Sequence, residues 1–330
     1  LNQNKKPVRA AHLDQQPWLK APLKANPRFL RDRYWPDGMV RVGGRDYTAM
    51  VESPCYLKGE LSCLSCHQMH HPQPGSKQME LWLDDQVKSG MDSNEACLQC
   101  HEGMRDNLSE HTHHTANSTG SSCYNCHMPH TTYGLLKGIR SHQIDAPSIK
   151  VNLETGRPNA CNLCHLDQTI EWSADYLEKW YGQPKPALNL ENRRIAASVL
   201  WLLKGDAGLR ALTAWHYGWK DAQEASGVSW QVPILARLLE DPYSAVRFIT
   251  ARSLRSYTGL EDLDFDFLDE ASSWKTSVEK ALAVWETTQK AENQILEPQR
   301  VLFKSSAEFD ERLIRAMLSK RVNLSMDLQE

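Results

Sequence analysis

Residues 121–143, SSCYNCHMPHTTYGLLKGIRSHQ, gather two cysteines, three histidines and a Met-Pro pair into one short stretch. The centre of that stretch, C-x-x-C-H, recurs along the chain. The four units are Cys63/Cys66/His67, Cys97/Cys100/His101, Cys123/Cys126/His127 and Cys161/Cys164/His165. They take up eight of the nine cysteines and leave only Cys55 over.

The spacing selects the chemistry. In a C-x-x-C-H unit both thiols fall on one side of a single turn, where they add to the two vinyl groups of a porphyrin. The histidine that follows points its ring at the iron as proximal ligand. Paired C-x-x-C units also build four-thiolate zinc sites, but zinc ribbons space their pairs by about 12–20 residues and need no histidine after each pair. Here the first cysteines of successive units lie 34, 26 and 38 residues apart, and the histidine follows all four times. A thioredoxin-like redox pair or a disulfide framework leaves that histidine unexplained. Four covalently attached haem c groups are therefore expected, with His67, His101, His127 and His165 as proximal ligands.

Each iron then wants a sixth ligand. Thirteen histidines less the four of the motifs leave nine. His70 and His130 each sit three residues after a proximal histidine, His111, His113 and His114 cluster before the third unit, and His142 follows it. We take His70, His113, His114, His142 and His130 as distal candidates, and expect His71 and His111 to face solvent. His12 and His216 are remote from the motifs. Met69, Met104 and Met128 lie near haem sites, where filling space is their expected role. Cys55 is expected to be buried and inert.

Composition divides the chain into three. Residues 1–54 are polar and Pro-rich, with turns at YWPDG (34–38) and VGG (42–44), and read as an N-terminal arm with a short hairpin at 39–48. Residues 55–182 are the tetrahaem domain. All four units fall within 55–170, too little chain to build an ordinary core, so the porphyrins must be the core, with a short helix at each unit and loops such as HPQPGSK between. Residues 183–330 hold no cysteine and one histidine, His216, and turn to helical periodicity. DQTIEWSADYLEKWYG places Ile170, Ala174, Leu177 and Trp180/Tyr181 on one face and stops at Gly182; PKPALN is a linker. IAASVLWLL, GLRALTAWHYGW, WQVPILARLLED and DPYSAVRFITARSLRSYTG are each about one helix, the last with Asp241 as N-cap and Pro242 in the first turn. SSWKTSVEKALAVWETTQKAENQ and EFDERLIRAMLSKR add two more. The expected fold is mainly α: a multihaem cytochrome c domain with little regular structure, followed by an α-helical HEAT-like domain.

The stretches HTHHTANSTGSSCYNCHMPHTTYGLLKGIRSHQI and GRPNACNLCHLDQTIEWSADYLEKWYG resemble exported multihaem c-type cytochromes that end in HEAT or TPR repeats. C-H-M-P with an upstream histidine pair is similar to the wider multihaem superfamily of nitrite reductase and hydroxylamine oxidoreductase. The resemblance covers about 34–182 closely and 183–258 loosely. It implies His70, one of His113 or His114, and His142 as distal ligands.

A net charge of −3 and a pI near 6.5 argue against a nucleic-acid partner. The longest apolar run, IAASVLWLL at 195–203, is far short of the roughly 20 residues that span a bilayer. The chain begins at Leu1, so a removed export signal or further upstream sequence is expected, with a periplasmic or extracellular location. Bis-His haems have no open site for a substrate, which makes electron transfer the expected function. The chain reads as an electron carrier more than an enzyme, within a larger redox assembly. Its expected partners are redox proteins, either other cytochromes or a membrane redox complex, and a homo- or hetero-oligomer is in keeping with this. Two alternatives stay open. One is an oxidoreductase acting on a nitrogen or sulfur oxide at an open-site haem, for which CLQCHEGM is the unit to watch. The other is a scaffold or polymer-forming cytochrome.

Overall fold

The computed structural model describes residues 28–70, 79, 86–288, 298–305 and 308–326. The expectations for residues 1–27, His12, His71 and the HPQPGSK loop lie outside the described residues. The architecture is mainly helical, with only short two-stranded pairings.

The YWPDG turn folds tightly. Trp35 N–H donates to the Met39 carbonyl at 2.8 Å, Gly38 N–H donates to the Trp35 carbonyl at 2.8 Å, and Tyr34 bridges Val40. The expected hairpin at 39–48 therefore does not form as such. Pairing is centred on the turn at 35–38, Val42 runs parallel beside Tyr133, and Asp46–Val51 is a helix. Further on, Thr132–Gly134 and Lys137–Ile139 make an antiparallel hairpin. Its turn is Leu135-Leu136, both left-handed (φ 50° and 52°) and both exposed. The hairpin lies against the helix Ala207–Tyr217. A Cβ on Gly138 would meet the Trp215 ring at 2.7 Å, so only glycine permits this approach.

The helix Ile170–Tyr181 forms as its sequence dictates. The Thr169 hydroxyl accepts from Trp172 N–H at 3.1 Å, and Gly182 ends the helix at φ +65°. Ile170, Ala174 and Leu177 are buried, whereas Trp180 is half-buried and Tyr181 exposed. Trp172, Tyr176 and Trp180, spaced by four, form a separate aromatic stripe with ring centres 4.8 and 4.4 Å apart.

Beyond the linker, helices follow in quick succession: Leu190–Arg194, Ala197–Lys204, Ala207–Tyr217, Lys220–Ser226, Gln231–Ala236, Ser244–Leu254, Ala271–Thr288 and Glu311–Leu318. Asp241 is not the N-cap of the helix that begins at Ser244. Its fully buried carboxylate accepts from both Nε and Nη2 of Arg210 (2.8 and 2.9 Å) and from Arg321 Nη1 (3.2 Å), besides Tyr243 N–H (3.0 Å). Two guanidiniums outcompete a helix terminus for a buried carboxylate.

The apolar core crosses the compositional boundary at 182. One cluster joins Val42, Tyr133 and Leu166 to the helices beyond 195; another joins Trp35, Met39, Leu163 and Ile170 to Ala197, Trp201 and Leu209. The cysteine-rich region contributes little. Among the described residues between Glu52 and Thr132, Leu98 is the only buried hydrophobic side chain. Among the described residues, no helix is long and apolar enough to cross a membrane.

Candidate functional site

Each C-x-x-C-H unit winds into a single helical turn. The histidine N–H donates to the carbonyl of the unit's first cysteine at 2.8 Å in His67, 3.0 Å in His101 and 2.8 Å in His165, and Cys123–His127 is itself a short helix. That turn places two thiols and a ring on one side, as attachment to a porphyrin requires. All nine cysteines are free thiols.

Units that follow one another in sequence are also neighbours in space. Cys66 and Cys100 lie within electrostatic reach of each other, as do Cys126 and both Cys161 and Cys164. Cys97 and Cys123 are in thiol contact, and this contact, with burial, drives Cys97 upward as the proton holder of the pair. Burial pushes Cys126 to about 11 and Cys161 and Cys164 to about 12. The four units thus form a row, first to fourth. Cys55 is half-buried beside the second unit, its thiol raised mainly by burial.

Three of the four motif histidines face a second imidazole. Ring centres are 6.0 Å apart for His67 and His142, 6.1 Å for His111 and His127, and 6.1 Å for His114 and His165, with interplanar angles of 25°, 8° and 24°. With metal–nitrogen bonds of about 2.0 Å, two imidazoles on opposite sides of one metal have ring centres about 6.3 Å apart. Ordinary offset stacks span distances of this size too. Each of the three pairs joins one motif histidine to one histidine outside the motifs, at nearly one distance.

The outer nitrogens fit the same arrangement. His127 Nδ1–H donates to the Asp145 carbonyl at 2.9 Å, and His114 Nδ1–H to the Thr112 carbonyl at 2.7 Å. A donating Nδ1 leaves Nε2 with a free lone pair, which is the tautomer a metal needs. Burial, then the neighbouring His114, lowers His165 to about 4, so its ring is neutral at pH 7. Asp145 is held in turn by Arg157, whose Nη2 donates to it at 2.8 Å while Nε donates to Asp37 at 2.9 Å. Gly120 packs flat against His114, where a Cβ would stand 2.2 Å from the ring. The residues present therefore fit an iron porphyrin held by two axial histidines.

The candidates fare differently. His142 and His114 stand opposite the motif histidines His67 and His165. His111 is exposed, in keeping with the expectation that it faces solvent, and its ring also stands opposite His127. His113 takes the left-handed conformation (φ 57°) and stacks on Trp180 at 4.2 Å. That reversal turns the chain between His111 and His114 and sends them to two different units. His130 packs on Trp215 and Trp219, beside His216, and burial holds it well below the usual histidine range. His70 is exposed. Among the described residues, no imidazole faces His101.

No protein-family model, curated protein or solved structure matches the chain.

Proposed function

We propose that this chain is a tetrahaem c-type cytochrome that carries electrons along a row of four haems. The observation that carries the reading is the set of three imidazole pairs, each with one motif histidine and each at a spacing that admits one metal. A bound haem supplies a one-electron couple at each unit. The chain's own residues do the rest. The motif cysteines would anchor the haems as thioethers, and His67/His142, His111/His127 and His114/His165 would supply the nitrogens that hold the iron. Asp145 and Thr112 fix ring orientation. The adjacency of successive thiols keeps the units close enough for electrons to pass from one to the next. The porphyrins would add apolar core to a region in which Leu98 is the one buried hydrophobic side chain among the described residues.

Haem attachment to thiols takes place outside the cytoplasm, which makes the periplasm or the cell exterior the proposed location. Its partners are then other cytochromes or a membrane redox complex. In this reading the helices beyond 183 are a HEAT-like element to which such a partner would dock.

A pyridine haemochrome assay with intact mass tests the reading. Four haems per chain are expected, with low-spin ferric signals. A colourless, zinc-loaded protein would refute it. A high-spin signal beside three low-spin ones would shift the function toward nitrogen- or sulfur-oxide chemistry at the second unit.

A further inference from the structure

The three imidazole pairs differ in what stands behind the histidine. His127 and His114 donate from Nδ1 to backbone carbonyls, which are neutral. Behind His142 there is a carboxylate: Asp46 Oδ1 lies 3.0 Å from Nδ1. The Nδ1 atom is buried, with the Asp46 carboxylate as its charged neighbour.

Asp46 is not an isolated surface acid. It opens the helix Asp46–Val51, which reaches the first unit through Met50. Met50 Sδ lies 4.0 Å from Cys63 Sγ. Ser53, fully buried just after the helix, donates from Oγ to the His142 carbonyl at 3.1 Å and accepts from Ile144 N–H at 2.8 Å. One short segment thus fixes the backbone of His142, touches a thioether-forming cysteine and sets an anion against the ring.

We infer that Asp46 is a positioning residue that makes His142 more electron-donating than His114, whose Nδ1 meets only a neutral carbonyl, and so places a low potential at the first unit. This rests on the tetrahaem reading above. An anion behind Nδ1 raises the basicity of the ligating nitrogen, which favours ferric over ferrous iron. The effect works through His142, and Asp46 itself touches no reacting atom. Electrons entering at the first unit then run toward higher potentials.

The test is potentiometric titration of the haem-loaded protein as wild type, Asp46→Asn and Asp46→Glu, with the haem count taken for each. In Asp46→Asn one haem, and only one, should show its reduced-to-oxidised ratio raised at least threefold at fixed potential, about 28 mV at 59 mV per tenfold. Asp46→Glu, which restores the anion, should return that haem toward wild type. Four haems with every potential unmoved in Asp46→Asn would overturn the inference and leave the tetrahaem reading intact. So would equal shifts in both variants, because a merely structural role does not distinguish amide from carboxylate. A wild type that binds no haem would instead remove the reading beneath it.

Discussion

His216 donates from Nδ1 to the Leu212 carbonyl at 2.8 Å, and its buried Nε2 has no hydrogen-bond partner among the described residues. Burial lowers it to about 4, against an ordinary value near 6.5. The unfolded chain takes up this proton first as pH falls, so stability is full above pH 6.5 and is lost progressively toward pH 4. Between pH 7 and pH 5 the loss amounts to about 2 kcal/mol. Denaturant titrations at the two pH values should show that loss in the wild type, and a difference smaller by about that amount in His216→Leu. An unchanged difference would mean the imidazole is not buried neutral. The histidine cluster makes a sharper distinction. His111→Ala should convert one low-spin haem to high spin in the electron paramagnetic resonance spectrum. His113→Ala should leave all ligation intact and cost only the Trp180 stack, about 0.5–1.5 kcal/mol. Sequence alone favoured the reverse, because the left-handed turn at His113 that separates the two rings carries no glycine or asparagine to announce it.

At the scale of elements, legibility followed local physics. The helix Ile170–Tyr181 was readable because its cap, its period and its glycine stop all lie within one window of sequence. The hairpin Thr132–Ile139 was not, since Leu135-Leu136 fills a turn where Asn-Gly would be the signal. Asp46–Val51 was read as part of a hairpin from the neighbouring VGG, and the contacts that make it a helix against His142 are tertiary. Asp241 was misplaced for the same reason: its partners Arg210 and Arg321 lie 31 and 80 residues away. That ion-pair cluster joins the helix Ala207–Tyr217 to the chain's last described segment. Asp241→Ala would leave a fully buried arginine uncompensated and should cost about 3–5 kcal/mol, measured by denaturant unfolding of the loaded protein. A loss below 1 kcal/mol would show that water reaches Arg210.

For the whole molecule, the boundary at 182 marks a change of composition but not a break in packing. Leu163, Leu166 and Ile170 share their core with residues beyond 195, and the Cys164 thiol donates to the Asp221 carbonyl at 3.7 Å. A chain ending at Gly182 should therefore fail to hold the fourth unit, seen as loss of one haem signal or as aggregation. Unchanged spectra would mean the cysteine-rich region carries a sufficient core alone. The four short motifs carry the proposed chemistry in the sequence alone, because covalent haem attachment demands fixed spacing. The pairing of histidines was not, because it depends on which loops meet across the row. Anomalous scattering at the iron edge from crystals of the loaded protein tests the central claim most directly. The account predicts four iron peaks per chain, three of them lying between His67 and His142, His111 and His127, and His114 and His165. Metal peaks set instead among the thiols of two different units, such as Cys97/Cys100 with Cys123/Cys126, would contradict it.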